Sequence, residues 1–76
     1  MKNALNQELP STTYELTFFD REGVEESIQQ YTNEDDARAV LDLFNEPDSA
    51  ELYSHITLTA YSWDTGTERI LKSLTF

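Results

Sequence analysis

The sequence predicts an α+β fold: two layers in ββαββ order, with one helix packed on one face of a four-stranded antiparallel or mixed sheet. Three observations predict it. The stretches "TYELTFFD" and "HITLTAYSW" alternate with the period of a strand. Each is followed by a glycine-bearing turn and a second extended stretch. Between the two hairpins, "ARAVLDLF" repeats apolar residues at helical spacing. A β-grasp arrangement, with the first and last strands parallel in the centre, is the alternative topology.

Residues 1–11 include Pro10, show no periodicity and read as a flexible tail, which leaves 12–76 as a single ββαββ domain. In the first hairpin Tyr14, Leu16 and Phe18 share one side. Asp20 opens the turn, and Gly23 supplies positive φ at its end, as in a hairpin with a bulged glycine. Pairing Asp20 with Val24 then sets Phe18 against Glu26, Leu16 against Ile28 and Tyr14 against Gln30, so Ile28 is expected inside. Thr32 or Asn33 caps the helix, and Ala37, Val40, Leu41 and Phe44 form its apolar stripe. Pro47 stops it, because the proline ring cannot continue the hydrogen-bond ladder. "DSAELYS" reads as either a short helical turn or a loop.

The second hairpin offers two registers about "DTG". Pairing Trp63 with Thr67 opposes Ala60 to Ile70 and Ile56 to Leu74 and keeps the aliphatic side chains together, so it is preferred. The expected core is Tyr14, Leu16, Phe18, Ile28, Val40, Leu41, Phe44, Ile56, Leu58, Ile70 and Leu74. The segments "LTFFDREGVEESI" and "LTAYSWDTGTERI" also match in length, and both run from Leu-Thr to Ile, which fits an internal duplication and supports the ββαββ count.

Composition narrows the function classes. A chain of 76 residues lies near the lower size limit for a single unstapled core and leaves little room for a buried active site. With no cysteine, disulfides and thiolate metal sites are excluded. No apolar run suits a signal peptide or a membrane span, so a cytoplasmic location is expected. A net charge of −10 argues against direct contact with nucleic acid or anionic lipid, because phosphate binding needs cationic side chains. Solubility and salt adaptation would explain the acidity without any partner.

Catalysis has no residue set to carry it. His55 is the only histidine, and no serine stands in a nucleophile elbow, so no catalytic residues are assigned and the protein is expected not to be an enzyme. The acid runs lack the spacing and glycine of a calcium loop, so neither a metal nor any other cofactor is assigned.

Two surfaces are candidate binding sites. "TNEDDARAVLDLFNEPDSAE" holds seven carboxylates and one arginine. Glu34, Asp35 and Asp36 fall in the first helical turn, where the helix dipole favours them. Asp42, Glu46, Asp48 and Glu51 lie toward the unfavourable end, and local stability does not explain them. Arg38 is expected to pair with Asp35 or Asp42. The second surface is the sheet face away from the helix, where Phe19, Tyr31, Tyr61 and Trp63 are expected together with Leu71, His55 and Arg69. Tyrosine and tryptophan commonly anchor interfaces, so this face suits a partner or a homodimer.

In size, charge and architecture the chain resembles small acidic phage-type inhibitors that imitate DNA, anti-CRISPR proteins among them. The resemblance rests chiefly on "NEDDARAVLDLFNEPDSAE" and carries no family motif. It implies an inhibitor whose partner is a basic nucleic-acid-binding protein. A non-enzymatic interaction or dimerisation module working through the aromatic sheet face is the alternative, and an uncharacterised soluble domain is a third reading.

Overall fold

Antiparallel pairing joins all four strands of the computed structural model, which describes residues 11–76. The strands are β1 (Thr12–Asp20), β2 (Glu25–Tyr31), β3 (Tyr53–Ser62) and β4 (Thr67–Thr75), in the order β2-β1-β3-β4. One helix, α1 (Glu34–Leu43), and a 3-10 turn (Pro47–Glu51) connect the two hairpins. The ββαββ prediction is met. The β-grasp alternative is not, because β1 and β4 are not neighbours and no pair is parallel. The expected tail falls almost wholly on residues outside the described ones, and its last member, Ser11, accepts a 2.8 Å hydrogen bond from the Trp63 N–H.

Leu16, Phe18, Ala37, Leu41, Ile56 and Leu58 form the buried core. Burial of each large apolar side chain among them is worth about 1.5–3 kcal/mol. The helix begins where the sequence places it: Asn33 Oδ1 accepts the N–H groups of Asp35 at 2.7 Å and Asp36 at 3.2 Å. Its stripe lies on the sheet, with Ala37 and Leu41 fully buried and Val40 and Phe44 packed beside them. Phe44, Phe18 and Tyr53 close one end as an aromatic triangle, with centroids 5.0, 5.3 and 6.0 Å apart. Pro47 does not itself end the helix. Phe44 is already the C-cap, and the proline opens the 3-10 turn that settles the "DSAELYS" segment.

The first turn forms as expected. Asp20 Oδ1 accepts from the N–H groups of Glu22 and Val24, and Gly23 takes φ +82°. One step further, a β-bulge between Phe18 and Phe19 overturns the expected register. Phe18 faces Ser27, Leu16 faces Gln29 and Tyr14 faces Tyr31. The extra residue spares the core a carboxylate, since Glu26 would otherwise stand opposite buried Phe18, where an unpaired charge is expensive. In exchange Ile28 turns outward and Tyr31 turns in, packing against the core.

The second hairpin repeats the device. Ile56 faces Leu74 as expected, but a bulge between Leu58 and Thr59 sets Ala60 against Arg69 and Thr59 against Ile70. Its loop is one residue wider than expected, with Ser62 rather than Trp63 facing Thr67. Trp63 is held elsewhere: its Nε1–H donates to Thr13 Oγ1 at 3.0 Å, and its ring meets Tyr61 edge-on at 4.6 Å. Ile28 and Ile70 therefore leave the expected core, while Leu71, Tyr53 and Phe76 join its margin.

Candidate functional site

The seven carboxylates of the helix region do not form one cluster. Helix α1 leads away from Tyr31, which stands beside Tyr14, and ends at Phe44, which touches Phe18 and Tyr53 at the opposite end of the sheet. Ten helical residues measure about 15 Å. Glu34, Asp35 and Asp36 thus mark one end, and Glu46, Asp48 and Glu51 the other, with Asp42 between them. The chain topology adds more acid to the second end. Asp20 pairs with Tyr53 and Phe19 with Glu25, so the first turn, with Asp20, Glu22 and Glu25, ends there too.

Neutralisation of these acids is slight. Arg38 Nε donates to Glu34 Oε2 at 2.7 Å, one turn back along the helix, rather than to Asp35 or Asp42 as expected. Lys72 Nζ reaches Asp42 Oδ1 at 3.8 Å. Both pairs are well exposed, so each contributes at most a fraction of a kcal/mol. Asp35, Asp36, Glu46, Asp48 and Glu51 meet no Lys or Arg among the described residues. Among those residues, too, no group of His, Asp and Glu large enough to hold a metal ion comes together.

The sheet face away from the helix keeps only part of its expected membership. Phe19 and His55 are there, stacked at 4.1 Å and 14°, as are Tyr61 and Trp63. His55 Nδ1 also shares a 2.9 Å hydrogen bond with Ser54 Oγ. Tyr31 and Leu71 are not on that face but pack toward the helix. Arg69 is also displaced: it pairs with Ala60 on the helix side and lines an open cleft of about 490 Å³ with Thr12 and Ser62.

Sequence reasoning missed Ile28 and Ile70, which belong to the outer face by their pairing, whereas strand alternation already sets Glu15, Thr17, Thr57 and Thr59 on that side. Glu15 accepts from Gln30 Nε2 at 3.2 Å across the first hairpin. The likeness between the hairpins was the available signal, since it sets Ile28 and Ile70 in equivalent places. No helix among the described residues is long and apolar enough to cross a membrane. No family model, curated protein or solved structure matches the chain.

Proposed function

We propose that the protein acts by binding, presenting its carboxylates to the basic, nucleic-acid-binding surface of another protein in the manner of a small inhibitor that imitates DNA. The observation supporting this is the uneven neutralisation around α1: five of its seven neighbouring carboxylates have no cationic partner among the described residues. The helix that separates the two acidic groups is about 15 Å long, close to the axial rise of about four base pairs. A basic groove shaped for a phosphate backbone suits such an arrangement, and opposite charge would speed the encounter.

Affinity capture from the native host at low and high salt tests the reading. A basic nucleic-acid-binding protein retained at low salt and released at moderate salt supports it. Retention of no such protein at any salt overturns it.

Self-association through the outer sheet face is the second reading, favoured by the 57% exposure of Trp63. Sedimentation separates the two, because a dimer held by this face is lost on replacing Tyr61 and Trp63 by Ser, whereas charge reversal at Asp42, Glu46 and Asp48 does the greater harm to an acidic inhibitor.

A further inference from the structure

The two hairpins are related by an approximate two-fold axis through the centre of the sheet. Leu16 and Leu58 hold the same place in the two matching segments, and they are each other's partners across β1 and β3. The same operation relates Thr17 to Thr59, Phe19 to Tyr61 and Ile28 to Ile70. Each isoleucine stands opposite its own threonine, Ile28 at Thr17 and Ile70 at Thr59, and projects from the outer face with 49% and 63% exposure.

That face has a defined relief. Aromatic side chains rise at its two ends, the Phe19–His55 stack at one and the Tyr61–Trp63 pair at the other. Between them the floor is made of the short side chains Thr17, Thr57 and Thr59, with the longer Glu15 reaching across to Gln30. Thr13, the partner of Tyr61, and Phe19 stand about 20 Å apart along β1. A helix backbone with its side chains is about 10 Å across and fits between the two ends.

Charge on the face has one sign. Arg69 and Lys72 partner Ala60 and Leu58 on the helix side, whereas Glu15, Glu25 and Glu68 partner Thr59, Phe19 and Tyr61 on the outer side. No Lys or Arg of the described strands projects outward. A second copy of the chain would bring the same carboxylates against these, so a cationic partner is the better match.

We propose that the outer face docks a basic amphipathic helix of the partner, laid across the strands between Phe19 and Tyr61. Its apolar stripe rests on Ile28, Thr17, Thr59 and Ile70, and its Lys or Arg side chains turn toward Glu15 and Glu68. This rests on the basic partner proposed above and separates two roles: the helix-end acids steer the approach, and the sheet face holds the bound partner.

Trp63 is the only tryptophan, so its emission reports directly on this face. The probe is a synthetic helix with leucines at i, i+3, i+4 and i+7 and lysines elsewhere, compared with a scrambled peptide of the same composition. The ordered helix should shift Trp63 emission saturably and bind at least about tenfold more tightly than the scramble. Ile28→Lys with Ile70→Lys should remove about tenfold or more of that binding, and Ile28→Thr with Ile70→Thr, which preserves strand propensity, should lose less in the same direction. Glu46→Gln with Asp48→Gln should weaken both peptides alike. Equal binding of the two peptides, untouched by either isoleucine pair, overturns the docking face while leaving the charge-based reading intact. Binding of neither peptide at low salt removes both proposals. Sedimentation as a dimer that buries Trp63 and excludes the helix overturns docking in favour of a second copy.

Discussion

Leu16 and Leu58 face each other across β1 and β3, and both are fully buried. Because they are equivalents in the two hairpins, their truncations should behave alike. Leu16→Ala and Leu58→Ala should each cost about 2–5 kcal/mol in urea unfolding, enough to take most of the stability of so small a domain. A loss below about 1 kcal/mol at either position would show that the centre of the sheet is not packed as described.

Asn33 holds two backbone N–H groups of the first helical turn through one side-chain oxygen. Asn33→Ala should cost about 1 kcal/mol, whereas Asn33→Asp, which keeps the acceptor, should cost much less. Equal losses in the two variants by chemical denaturation would mean that the cap contributes nothing.

Gly23 and Gly66 sit at φ +82° and +68°, with open space where a Cβ would go. Alanine at either site should therefore cost about 1–2 kcal/mol through backbone conformation alone. Asn, which tolerates this region better, should recover part of the loss. Recovery can be followed by the thermal midpoint of each variant.

With a net charge of −10, and with both ion pairs among the described residues exposed at the surface, the folded chain repels itself. Raising sodium chloride from about 0.01 to 0.1 M shortens the Debye length from about 30 to 10 Å and should raise the melting temperature. Arg38→Gln should lower stability by no more than about 0.5 kcal/mol, since its pair with Glu34 is exposed. A melting temperature that falls with added salt would reveal net attraction among the charges.

The parts of the fold that were legible in the sequence are those fixed locally. Helix α1 follows from the spacing of Ala37, Val40, Leu41 and Phe44, and the first turn from Asp20 and Gly23. The two bulges were illegible, because nothing in the apolar pattern marks where one extra residue breaks the alternation of a strand and exchanges its faces beyond that point. That single effect explains why Ile28 and Ile70 are outside and Tyr31 is inside. The site divides in the same way. The acids could be counted from the sequence, but the Glu34–Arg38 pairing depends on where the helix starts, and the Asp42–Lys72 pairing on how α1 lies across the sheet.

Displacement of nucleic acid is the most direct measurement of the central claim. A basic nucleic-acid-binding protein captured from the host is loaded with labelled DNA, and the acidic protein is titrated in at fixed salt. An occupant of the phosphate-binding surface should release the DNA competitively, with apparent affinity falling steeply as salt rises. A ternary complex in which DNA and the acidic protein remain bound together would contradict it.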